Sequence, residues 1–217
     1  MDLRRLRERG AVVAPLEHQL LLPGQGPERR LVVLGDSAAA GHGLPDAEAG
    51  LARLTGRRMH ARDGRPTRVL SLARDGATTA TVRSEQLGAI DGATDVVLGV
   101  GANDALRGVS VARSSSELAL LLSELIRIVG DRTRVVLVGC PDLSVAPGLP
   151  RAVQPLVGWR CRAIAGGQAR VAARLGVPLL PLARRALGPE TFGPDGFHPG
   201  PVGHARMAEG VATALAG

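Results

Sequence analysis

Residues 31–43 read LVVLGDSAAAGHG: four apolar residues, a glycine, an acid and a serine, then a cluster of small residues. An apolar run this short, ended by Gly35 and followed by alanines, reads as a buried strand that turns directly into a helix. The same signature recurs along the chain. Further candidate strands are RVLSL (68–72), DVVLGV (95–100), RVVLVG (134–139) and VPLLPL (177–182). Stretches of helical period separate them, near 46–61, 79–89, 114–129, 152–175 and 201–215. Such alternation predicts an α/β protein in which about five parallel strands form a sheet covered by helices on both faces. Ser114, Ser115 and Ser116 offer caps for the third helix. The first 30 residues fit the scheme poorly. MDLRRLRER suggests a short helix and the segment after it a piece lying against the sheet edge, so the expectation is an N-terminal extension (1–30) packed on one domain (31–217).

Composition narrows the function classes. All 27 basic residues are arginine, since the chain has no lysine, and the formal charge is +7. The arginines are interleaved with acids throughout, form no long basic run and lack aromatic partners for stacking bases, so nucleic-acid binding is not expected. After MDLRRLRERG the apolar stretch is broken by Pro15, Glu17 and His18, which argues against an export signal and for a cytoplasmic protein. No run reaches the ~18 apolar residues of a membrane span. Cys140 and Cys161, without C-x-x-C spacing, read as buried thiols rather than a disulfide or metal site.

In open parallel α/β sheets ligands bind beyond the carboxyl ends of the strands. Polar features gather where the chain reaches that edge: Asp36-Ser37, Arg74-Asp75-Gly76, Asn103-Asp104 and Asp195-Gly196-Phe197-His198. A serine alone is also a routine helix cap. It becomes a nucleophile when an imidazole accepts its proton and a carboxylate orients that imidazole. Asp195 and His198, three residues apart, can supply both groups. The order Ser, Asp, His occurs in α/β hydrolases, although Gly35-Asp36-Ser37-Ala38-Ala39 lacks the second glycine of a G-x-S-x-G elbow. Acyl transfer also requires donors for an oxyanion. Asn103, the single asparagine of the chain, stands at the end of the third strand, and Gly76 after the second offers a backbone N–H at close approach.

LVVLGDSAAAG, RDGATT, GVGAND and DGFHPGPVGH, in this order, resemble the four sequence blocks of the SGNH hydrolases, also called GDSL esterases and lipases. The similarity spans about residues 31–216. It implies a three-layer, flavodoxin-like α/β/α fold, with Ser37 as nucleophile, His198 as base and Asp195 as its partner. It further implies an oxyanion hole made by the N–H of Ser37, the N–H of Gly76 and the side chain of Asn103, with no metal or organic cofactor and a small-molecule ester as substrate. The sequence departs from the family at Ala38, in place of the leucine of the family's name, at Gly200, where serine is frequent, and at His204, where an aromatic residue is frequent.

Other residues carry weaker readings. His42 has no acid at a fitting spacing and reads as a surface histidine; His18 and His60 are isolated. The glycines at 35, 41 and 43 match no phosphate loop, and a lysine-free chain cannot supply a P-loop lysine. The proline-rich segment 140–159 is a candidate lid or wall that, with Phe197, would form an apolar acyl pocket. An acyltransferase with the same triad and an inactive binding module remain the alternatives to a hydrolase.

Overall fold

In a computed structural model of the chain, which describes residues 19–182 and 187–216, six strands form one sheet: β1 (Gln19–Leu22), β2 (Arg29–Gly35), β3 (Thr67–Ser71), β4 (Asp95–Gly99), β5 (Arg134–Val138) and β6 (Leu179–Leu180). Their order is β1-β3-β2-β4-β5-β6. The five strands anticipated from the apolar runs are present and mutually parallel. To them β1 adds an antiparallel edge through β3, pairing Gln19 with Leu70 and Leu22 with Thr67. The expected helix in MDLRRLRER and the isolated His18 lie outside the described residues.

The central strands are apolar throughout because both faces are covered. Val32, Leu34, Val96, Leu98 and Leu137 point to one face. There they meet α3 (Thr79–Glu85), α5 (Val111–Val129) and α6 (Gln154–Leu175) through Val82, Leu118, Leu121, Leu122, Leu125 and Val171. Leu31, Val33, Val97 and Val136 point to the other face, against Leu51 and Met59 of α2 (Leu51–Asp63) and Met207 and Val211 of α7 (Pro201–Ala214). Two short helices, α1 (Ser37–Ala40) and α4 (Ala102–Leu106), follow β2 and β4 directly.

One helix start differs from the sequence expectation, and another falls where it was expected. α5 begins three residues early: Ser110, not one of the serines 114–116, accepts the N–H of Arg113, and Ser114 is buried inside the helix. α7 starts on Pro201 after Gly200, which makes no side-chain cap bond; the proline's fixed φ suits this first position. β2 extends back to Arg29, whose buried guanidinium is tied to Asp63 at 2.6 Å. At the same amino-terminal end of the sheet, buried Asp95 forms an ion pair with Arg134 at 2.6 Å. Charges tolerate burial there because they are paired.

Candidate functional site

At the opposite edge, β2 and β4 run so close that Gly35, at φ 143°, leaves no space for a side chain: a Cβ would stand 2.1 Å from the Gly99 carbonyl oxygen. The next residue donates its N–H to that same oxygen. Buried Gln86 grips the Gly35 peptide from behind, accepting its N–H at 2.8 Å and donating to its carbonyl at 2.9 Å. A second buried glutamine, Gln168, spans the neighbouring strand ends by accepting the Cys140 N–H at 2.7 Å and donating to the Val100 carbonyl at 2.8 Å. Neither glutamine is distinguishable in the sequence from any other helical glutamine.

Ser37 is the first residue of α1, a single turn capped by the Asp36 carboxylate on the Ala38 N–H and stopped by Gly41 in the left-handed region. This helix lies against the sheet through buried Ala39, whose Cβ sits so close to the strand ends that a Cβ on Gly35 would stand 3.0 Å from it. The Ser37 hydroxyl lies 3.0 Å from His198 Nε2, and His198 Nδ1 lies 2.6 Å from Asp195 Oδ2. Asp195 Oδ1 meanwhile accepts the N–H groups of Phe197 and His198, at 2.9 and 3.0 Å. Burial works to raise Asp195, but the His198 side chain and these two N–H groups outweigh it and hold the carboxyl below its ordinary range. An ionised Asp195 can only accept, so Nδ1 carries the imidazole proton and Nε2 is left as acceptor for the serine O–H.

The turn bearing Asp195 and His198 is itself braced. Gly196 accepts the N–H of Gly148 at 2.7 Å, and His198 accepts the N–H of Gly193 at 2.8 Å. The segment after β5 is thus hydrogen-bonded to this turn at Gly148.

Gly76, on the turn after β3, and Asn103, in the first turn of α4, belong to separate segments tied together by several bonds. Asn103 Nδ2 donates to the Ala77 carbonyl at 3.1 Å, and Arg107 donates to the Gly76 carbonyl at 2.8 Å. Buried Asp104 accepts both the N–H and the hydroxyl of Thr79, at 3.0 and 3.1 Å. The Gly76 N–H and the second N–H of Asn103 have no partner among the described residues. Two donors on a fixed frame are what a developing oxyanion requires.

Ser37 and His198 open on an apolar cavity of about 110 Å³. Leu143, Phe197, Phe192, Leu182 and Met207 are among the residues that line it. The loop that follows β5 contributes Pro141 and Leu143 to this wall, strand ends and α1 contribute Ala38, Ala39 and Val100, and Phe197 stands in it as anticipated, whereas Leu182, Phe192 and Met207 were not singled out in the sequence.

Three further groups at or near the site were not legible. His42 is not a surface histidine: its Nδ1 lies 2.5 Å from Asp75 Oδ2 and its ring centroid 4.5 Å from that of His198. His204 is buried and accepts the Leu51 N–H at 3.1 Å; burial, then the charge of His198, push it down to about 4, so it stays neutral. Asp36 is pushed up to about 6 by burial, against the opposing N–H of Ala38 and the charge of His198. Cys140 and Cys161 are buried free thiols; their mutual hydrogen bond and burial push Cys140 well up.

The Asp36 shift has a measurable sign. A folded-state value above the unfolded 3.8 gives stability that is full below 3.8 and lost as pH rises through about 6. Asp36→Asn keeps a capping acceptor and carries no charge. Its melting in denaturant is therefore expected to show a gain of up to about 3 kcal/mol at pH 8 that vanishes by pH 4.

Among the described residues no cluster of three or more His, Cys, Asp or Glu is placed to hold a metal ion, and no helix is long and apolar enough to cross a membrane.

With this geometry in view, comparisons with known proteins agree on one lineage. The profile of the GDSL-like lipase/acylhydrolase family matches residues 33–206, and the chain belongs to that family. It is 32% identical over 197 residues to the GDSL-like esterase Rv1075c of Mycobacterium tuberculosis, covering 85% of this chain and 61% of that protein. The chain therefore spans under two thirds of that relative's length. The crystal structure of TesA superposes with a TM-score of 0.69 at 28% identity, over 86% of this chain and 98% of TesA. A lipase/acylhydrolase from Enterococcus faecalis shares the fold, with a TM-score of 0.68 at 24% identity over 85% and 94% of the two chains.

Proposed function

We propose that this protein is a serine hydrolase that cleaves carboxylic esters or thioesters through an acyl-enzyme. The observation that carries the reading is the continuous bonded chain from Ser37 Oγ through His198 to Asp195 beside an apolar cavity. His198 Nε2 takes the Ser37 proton as Oγ attacks the acyl carbonyl. The oxyanion is received by the N–H groups of Ser37 and Gly76 and by Asn103. His198 then protonates the leaving group, and in the second half-reaction it activates water. Asp195 keeps the imidazole in one tautomer. Labelling with a fluorophosphonate followed by peptide mapping tests the assignment: an adduct on Ser37 is expected, and no label under conditions that modify a reference serine hydrolase would refute it.

Asn103→Ala is expected to leave the fold intact, since only the bond to Ala77 is lost, and to lower kcat on p-nitrophenyl acetate by about 10²–10³. Unchanged kinetics would remove Asn103 from the oxyanion site.

Cavity size sets the acyl group. An engineered cavity of about 150 Å³ admits a benzene-sized molecule, so the space beside Ser37 takes a chain of a few carbons. Each methylene buried contributes about 0.8 kcal/mol, close to a factor of four. Across p-nitrophenyl esters from acetate to palmitate, kcat/KM is expected to climb by about that factor per carbon while the cavity fills, then level or fall. A continuous rise to palmitate would show that the wall opens further.

A further inference from the structure

We propose that His42, anchored by Asp75, is a positioning residue for the second half-reaction, deacylation; the inference rests on the serine-hydrolase reading above. The two imidazoles sit side by side, ring centroids 4.5 Å apart and planes tilted by 51°. On another side Phe197 meets the His198 ring edge to face, at 5.1 Å and 86°. The backbone of His42 is fixed by its N–H donating to the Ser37 carbonyl at 2.9 Å, and its ring is fixed by the pairing of Nδ1 with Asp75. Its Nε2 is buried and has no partner among the described residues. Neither His42 nor Asp75 lines the acyl cavity. A ring with one nitrogen bound to Asp75, the other buried and no part in the cavity lining has no route to substrate, so it acts through His198.

The need for such a buttress arises after acylation. In the free protein the Ser37 hydroxyl donates to His198 Nε2 and holds the ring at both ends. Once Oγ is esterified it has no proton to donate, and that tie is gone. His198 must nevertheless keep Nε2 facing the acyl carbon. There it accepts a proton from water as the water oxygen bonds to the carbonyl carbon. It returns that proton to Oγ as the carbon–Oγ bond breaks and the acid leaves. During this step the ring is held by the Asp195 bond and by packing against Phe197 and His42. Removing His42 frees the imidazole to swing at the stage where the serine no longer restrains it.

Stopped-flow kinetics with p-nitrophenyl acetate on the full chain separates the half-reactions. For His42→Ala the burst of p-nitrophenolate is expected to keep its rate constant within about twofold, while steady-state kcat and KM both fall about tenfold and kcat/KM is preserved. His42→Phe, which keeps a ring in place, is expected to restore kcat to within about threefold. Asp75→Ala, on an exposed turn, should fall between the two. Wild-type kinetics in His42→Ala, equal losses in kcat and kcat/KM, or a His42→Phe protein as impaired as His42→Ala would each overturn the proposal. Absence of Ser37-dependent turnover in the wild-type protein would instead refute the hydrolase reading.

Discussion

Ser37→Ala is expected to lower kcat on p-nitrophenyl acetate by on the order of 10⁶, with melting behaviour unchanged. His198→Ala should cost about as much, and the double variant little more, because groups that act as a unit are lost as a unit. Such a loss corresponds to about 8 kcal/mol of transition-state stabilisation. What remains in these variants is binding in the apolar cavity and the donors at Gly76 and Asn103, which do not depend on the serine oxygen. The bonds that hold those donors, Asp104 to Thr79 and Asn103 to Ala77, lie outside the Ser37–His198 pair. Full additivity of the two losses, or activity within tenfold of wild type in Ser37→Ala, would show that another group performs the attack.

Asp195→Asn is expected to lower kcat by about 10⁴. The substitution is nearly isosteric, and an amide oxygen can still accept the Phe197 and His198 N–H groups that Asp195 Oδ1 accepts. At the other position an NH₂ would face His198 Nδ1, where the carboxylate oxygen stands at 2.6 Å. That donor stabilises the tautomer with the proton on Nε2, so the imidazole meets the serine hydroxyl with a proton instead of a lone pair. The burst amplitude and the melting temperature, measured together, separate this tautomer effect from unfolding. A loss of only a few-fold would mean that Asp195 merely caps its own turn.

The strands of the parallel sheet were legible because burial on both faces leaves a continuous apolar run, as in LVVL and DVVLGV. β1 was not, since Gln19–Leu22 alternates exposed and half-buried residues at a sheet edge. Arg29 hid the true start of β2, because a charge reads as surface until its partner is known, and Asp63 is far away in sequence. Among the residues the structure brings together at the proposed site, those in compact local patterns, Ser37 and the Asp195–His198 turn, could be named in advance. His42 could not: spacing in sequence showed no acid near it, whereas the turn after β3 brings Asp75 to it in space. Gln86 and Gln168 act on backbone groups, which carry no sequence signature at all.

Those two glutamines divide the molecule's vulnerabilities unevenly. Each satisfies buried backbone groups at the strand ends, and an apolar replacement would strand them at about 1–3 kcal/mol per group. Ser37 and His198 support no comparable part of the frame. On the hydrolase reading proposed above, drift at Ser37 or His198 would therefore end the chemistry in one step while the shape and its cavity persist, whereas drift at the braces threatens both together. A descendant that retains only a ligand-holding role lies a single substitution away from this chain.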